Sequence, residues 1–168
     1  NAEKIILCLS GFISAIGTVM LPKVSRMTRM KQMDAVKRHI RLSMELVMCM
    51  VCAMAFGLAA VAVNFAPLFY GDDFAYSGTL MMPLAFTLLS IGFANVIRTQ
   101  WVLPQGRDTI FVHSVLTGAV INLIANFVLI PPFGAMGAAA ATVLAEFSVP
   151  AVQFVYLRKE LPYAQYLK

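Results

Sequence analysis

Few side chains in this chain are equipped for chemistry. Cys49-Met-Val-Cys52 has CxxC spacing, which could supply half of a zinc site. No second pair accompanies it in its long apolar stretch, and two small thiols on one helix face pack as ordinary apolar groups. Asp72 and Asp73 form a pair of carboxylates beside Gly71. Such a pair could touch a cation or a substrate, although a solvated turn explains it as well. His39 and His113 lie in different stretches, with no acid, base and nucleophile set around either. There is no phosphate-cradling glycine loop and no HExxH. The residues give no positive argument for an enzyme, a metal site or a cofactor.

The polar residues inside the apolar stretches are more informative, because hydrocarbon tolerates them only where they meet a cavity or a partner. Ser114, Gly118, Asn122 and Asn126 follow one another at four-residue steps, a small and polar stripe on one helix face. Gly134, Ala138, Thr142, Glu146 and Pro150 repeat the interval, flanked by a row of Gly137, Ala141 and Ala145. A third stretch contributes Asn95, Arg98, Thr99 and Gln100. Small-residue rows let helices approach closely and hydrogen-bond across the contact. Two readings stay open: a water-filled lumen lined by Asn95, Arg98, Asn122, Asn126 and Glu146, or plain helix–helix hydrogen bonding. From the ~1.5 Å rise per residue, Glu146 and Asn122 fall near the bilayer centre and Arg98 nearer the inner surface, level with His113. An Arg98–Glu146 contact would have to overcome the tendency of arginine to reach towards the nearer interface.

Composition fixes the medium in which these groups sit. Of 168 residues, 60% are hydrophobic and 12% charged, with a mean hydropathy of +0.80. Soluble domains carry roughly 25% charged residues. A soluble globular domain, a disordered tail and a disulfide-stapled module are excluded. Hydropathy predicts five membrane spans at about 5–22, 43–69, 80–103, 109–130 and 135–157, in an all-α polytopic membrane protein. Apolar runs of this length do not suit a barrel, whose strands alternate over ~10 residues. Pro83 falls at the tolerant start of the third span. Pro150 lies inside the fifth, where it should kink the helix and free a carbonyl for another partner.

Eleven of the thirteen lysines and arginines fall on one side of these spans. They are Lys23, Arg26, Arg29, Lys31, Lys37, Arg38 and Arg41 in the connection 23–42, Arg107 in the next turn, and Arg158, Lys159 and Lys168 after the last span. The positive-inside rule makes that side cytoplasmic, with Asn1 outside and Lys168 inside. In the basic connection, Met27, Met30, Met33, Val36 and Ile40 recur at helical spacing, which predicts an amphipathic helix on the inner leaflet that runs into the second span. It would serve as a topology anchor or a contact to lipid phosphate. The sequence pI of about 9.3 needs no nucleic acid to explain it.

Four stretches carry a resemblance: NAEKIILCLSGFISAIGTVMLPKVSRM, NFAPLFYGDDF, NVIRTQWVLPQGRD and INLIANFVLIPPFGAMGAAAATVLAEF. In this order they resemble Wzx-type lipid-linked oligosaccharide flippases of the multidrug/oligosaccharidyl-lipid/polysaccharide exporter superfamily, in the version common in Gram-positive bacteria. That resemblance implies a two-lobed transporter of about twelve to fourteen helices around a cationic cavity, in the bacterial cytoplasmic membrane. The chain would supply helices eight to twelve, most of the second lobe, with the rest of its parent as partner. Alone it would neither transport nor stay monodisperse in detergent. The implied substrate is an undecaprenyl-pyrophosphate-linked oligosaccharide repeat, carried from the inner to the outer leaflet without covalent chemistry. Arg98 is the first candidate to meet the pyrophosphate. Asn95, Asn122 and Asn126 are further lumen candidates, and Glu146 the candidate for ion or proton coupling. A small-molecule antiporter of the same superfamily and a non-transporting scaffold are rival readings. A membrane-embedded glycan enzyme is less suited, because the outer connections of about ten and four residues leave no room for a catalytic loop.

Overall fold

The computed structural model describes residues 2–161; Asn1 and Lys168, to which the charge pattern assigns opposite sides, lie outside them. Helix α1 spans Ala2–Arg29 and α2 spans Met33–Tyr70. Between them, Lys31 takes a positive φ of 57°. Gln32 N–H donates back to the Met27 carbonyl at 3.1 Å and Lys31 N–H to that of Thr28 at 3.0 Å, which closes the end of α1. The basic connection is therefore two helix ends joined by a tight turn: from Met33 it runs into the second span as its periodicity predicts, but 23–29 is the end of α1 and not part of one helix on the leaflet. Val36 and Ile40 are fully buried, and Met27 and Met33 pack against the same core, leaving Met30 exposed. The reversal turns the apolar stripe towards the neighbouring helices instead of towards lipid. A side chain at Lys31 opposes this left-handed backbone, so Lys31→Gly is expected to raise stability by about 0.5–1 kcal/mol in thermal unfolding of the intact protein.

A short turn, Asp72–Phe74, leads from α2 into α3 (Ala75–Ala85). Helices α2 and α3 touch backbone to backbone at Gly78, where a Cβ would stand 2.6 Å from the Ala62 carbonyl oxygen. The third span is not the single helix expected: α3 meets α4 (Thr87–Ile97) at a 40° bend. The helix begins at Ala75, so Pro83 is an interior residue and the Thr79 carbonyl loses its donor. Just past it, at the bend itself, Phe86 N–H turns to the Pro83 carbonyl (3.3 Å) and Thr87 Oγ1 donates to that of Leu84 (2.6 Å). After Ile97 the coil widens into a π turn, Arg98–Val102, closed by Leu103 N–H on the Arg98 carbonyl. Pro104, which brings no N–H, and Gly106 in a left-handed conformation then end the span.

The last helix, α5 (Asp108–Leu157), is a hairpin of two arms, 108–133 and 135–157, reversing at Gly134 (φ 54°, ψ −131°). The arms approach along their length: Gly137 lies on the backbone of Leu129, Gly118 faces Val149, and Tyr156 reaches His113 at 3.4 Å. Each arm exceeds the roughly 20 residues needed to cross a bilayer. Backbone dihedrals remain helical at Pro150, and Gly134 alone departs from them within α5. The chain is thus an all-α, multi-pass membrane protein, with no strand among the described residues. Its core lies between α1, α2 and α4, around Val24, Val36, Met44, Val51, Leu88 and Ile97. Large apolar side chains such as Leu7, Phe12, Leu46, Phe56, Leu116 and Phe127 point outward, a surface suited to lipid chains and not to water.

The α1–α2 turn, the 103–107 turn and the end of α5 share one end of the bundle. There Glu160 accepts from Arg107 Nη1 at 2.5 Å and from Trp101 Nε1 at 3.3 Å. The Arg107 hydrogen bond holds the Glu160 carboxyl below the usual carboxylate range, against a smaller upward pull from burial. A carboxyl depressed in the fold adds stability above its unfolded value and loses it as pH falls through the lower, folded value. Both partners are over a third exposed, so the contribution is at most about 1 kcal/mol. Trp101 is the single tryptophan of the chain. With other tryptophans of the intact protein replaced, its emission should change on acidification below the carboxylate range, and Glu160→Gln should abolish that change.

Candidate functional site

Glu146 on the second arm of α5 lines three of the cavities that open among the described residues. The first, about 180 Å³, is bounded by Ser14 of α1, Asn95 of α4, Arg98 of the π turn, Phe111 of the first arm, and Glu146 and Gln153 of the second. The second, about 230 Å³, is bounded by Glu3, Thr87, Asn122, Thr142 and Glu146. The third, about 600 Å³, lies between the two arms, where Asn122, Asn126 and Glu146 interrupt a wall of Val115, Leu123, Ala145 and Val149. The four-residue steps put Asn122 and Asn126 on the inner face of the first arm, where Asn126 Nδ2 donates to Asn122 Oδ1.

The π turn sets the position of Arg98. One extra residue in the coil changes the direction in which successive side chains leave it, and such turns recur at functional sites. The guanidinium lies over the Phe111 ring, 5.0 Å from its centroid, while Nε is buried without a hydrogen-bond partner. Cation and ring attract through the ring quadrupole, and a dry surrounding strengthens that attraction. Arg98 and Glu146 share the first cavity but form no ion pair. The ion pairs seen among the described residues are Arg41–Glu45 at 2.9 Å and Arg107–Glu160. Asn95 is 7% exposed, with Oδ1 lodged where a Cβ of Gly17 would be, so that glycine is what brings α1 against it.

Sequence reasoning missed Gln153 and Ser14 in this setting. Gln153 is 1% exposed and leaves Oε1 unpartnered. It stands seven residues after Glu146, two turns along the same face, and that interval was the available signal. Other chemistry-bearing residues lie elsewhere: Asp72 and Asp73 are exposed in the α2–α3 turn, Cys49 is exposed and Cys52 half-buried, both as free thiols. His113 pairs with Tyr156 between the arms. The first cavity offers one cation, one carboxylate, a hydroxyl and two amides, and no histidine. Such a set can bind and neutralise a polar ligand; it does not assemble a nucleophile with its base.

Comparison with known proteins agrees with a transport role. The chain is 23% identical over 136 residues to a protein named as an O-antigen transporter in Shigella dysenteriae, covering 81% of this chain and 33% of that protein. It is 25% identical over 133 residues to one named as a low-salt glycan biosynthesis flippase in Haloferax volcanii, covering 79% and 28%. An uncharacterized membrane protein of Methanocaldococcus jannaschii is 26% identical over 153 residues, covering 91% and 30%. The chain thus spans about a third of the length of these curated relatives. No solved structure matches it. The family model described as the lipid II flippase MurJ matches residues 1–167, nearly the whole chain, and this protein belongs to that family of flippases.

Proposed function

We propose that this chain forms part of a longer transporter that carries an undecaprenyl-pyrophosphate-linked oligosaccharide from the inner to the outer leaflet of a bacterial cytoplasmic membrane. The observation that carries the reading is the placement of Glu146. One carboxylate borders three cavities, and these cavities also take in Arg98, Asn95, Asn122 and Asn126 within an otherwise apolar bundle. Polar groups held together at membrane depth mark a path for a polar cargo. Arg98 serves as the cation opposite pyrophosphate, the asparagines meet hydroxyls, and Glu146 couples movement to an ion. The work consists of binding, charge compensation and alternating access, with the remaining lobe of the parent and the surrounding lipids as partners. The basic end of the bundle faces the cytoplasm, following the positive-inside rule.

Deleting the parent gene tests this directly. Lipid-linked oligosaccharide should accumulate on the cytoplasmic side while surface polysaccharide is lost, and the intact gene should restore both. Unchanged polysaccharide in the deletion strain would overturn the assignment.

A further inference from the structure

Pro150 stands four residues after Glu146 and carries no N–H, so the Glu146 backbone carbonyl loses the donor that a regular helix would give it. An unpaired carbonyl at membrane depth is costly, and something must satisfy it. Ser90 Oγ does so, donating across from α4 to the Glu146 carbonyl. Ser90 is only 3% exposed. This hydroxyl behaves unlike others in the spans. Thr18, Thr99, Ser114 and Thr142 all donate to a carbonyl three or four residues back in their own helix, which ties nothing to a neighbour. The bond from Ser90 joins two helices, and it does so at the residue whose side chain borders all three cavities.

We propose that Ser90 is a positioning residue: it clamps the second arm of α5 onto α4 at the proline gap and thereby fixes where the Glu146 carboxylate stands among the cavities. The consequence for transport rests on the reading of those cavities as the cargo path; the clamp itself does not. Because the acceptor is backbone, the bond survives any side chain at position 146. Replacing Pro150 by alanine returns an N–H to the Glu146 carbonyl, so the clamp then has little left to satisfy.

The experiment uses the intact parent carrying Glu146→Cys, with its native cysteines, including Cys8, Cys49 and Cys52, replaced by alanine. The rate of labelling by a small water-soluble maleimide in membranes reports the position of residue 146. Ser90→Ala is expected to change that rate about fivefold, the factor set by one hydrogen bond of ordinary net strength. In the Pro150→Ala background the same substitution should change it less than about twofold, and Ser90→Thr should label like the reference. Should Ser90→Ala not reach the membrane, the near-isosteric pair Ser90→Thr and Ser90→Val makes the same comparison. Equal rates with and without the hydroxyl would overturn the clamp, as would an effect of equal size in both backgrounds. With Glu146 intact, Ser90→Ala should lower surface glycan at unchanged membrane abundance. If labelling responds and glycan does not, the clamp stands and the role of Glu146 in the cargo path falls.

Discussion

Gly137→Ala should leave little of the intact protein folded in the membrane, at a cost of about 3 kcal/mol or more. The added methyl would collide with the backbone carbonyl of Leu129 and stand 3.0 Å from the amide nitrogen of Ile130. Neither is the movable end of a side chain. Both belong to the last turns of the first arm, where the hairpin reverses at Gly134 and the arms are closest. To admit a methyl the arms must separate, and the contact of Gly118 with Val149 further along the hairpin separates with them. The control is Gly11→Ala, in the same kind of apolar helix but with nothing within 4 Å of its new Cβ. That change should be neutral or stabilising by up to about 1 kcal/mol, through the lower entropy of alanine in the unfolded chain. Thermal unfolding of the detergent-extracted parent, read as the loss of monodisperse protein, compares the two. Equal midpoints for Gly137→Ala and Gly11→Ala would disprove the tight reversal.

The same hairpin shows what was legible in the sequence. Two apolar stretches of the sequence correspond to its two arms, and the small-residue row of Gly137, Ala141 and Ala145 includes positions where the arms meet. The break at Gly134 fell within the expected four-residue connection: the helix runs through Pro131 and Pro132, and the glycine that follows takes the positive φ that reverses the chain. Two features were not legible. The bend in the third span depends on where its helix starts, and an onset at Ala75 turns Pro83 from a tolerated first-turn residue into an interior one. Periodicity places an onset only to within a turn. The inward rotation of the 23–42 stripe depends on the turn at Lys31, a lysine in a conformation that favours glycine and so carrying no local signal. For the site, helical spacing gave the faces but not the neighbours. It set Asn122 beside Asn126 correctly, yet the meeting of Ser90 with Glu146 spans 56 positions and needs the packed helices to appear. The carbonyl freed by Pro150 was legible; the identity of its donor was not.

Arg98→Ala should reduce glycan translocation by about 10- to 100-fold while the protein still reaches the membrane. The magnitude follows from a charge-assisted hydrogen bond, worth about 1.5–3 kcal/mol where water is scarce. The state of Arg98 supports spending that much on one residue. It is the single lysine or arginine between Arg41 and Arg107, it lies in the first cavity, and the Glu146 carboxylate bordering that cavity does not neutralise it. Its contact is the Phe111 ring, which holds a cation without quenching its charge. A guanidinium so held keeps its charge for an anionic cargo. Arg98→Lys keeps the charge but loses the fork, and should fall between wild type and alanine. Phe111→Leu keeps most of the volume and removes the ring, for an expected loss of about two- to tenfold, since an attraction of ~0.5–1 kcal/mol or more disappears along with the orientation it imposes. Arg41→Ala sets the baseline, because that arginine makes an exposed pair with Glu45 and borders none of the three cavities. Cytoplasmic accumulation of lipid-linked glycan, measured at matched membrane abundance, orders the four variants. A result in which Arg98→Ala and Arg41→Ala export equally would remove Arg98 from the proposed path.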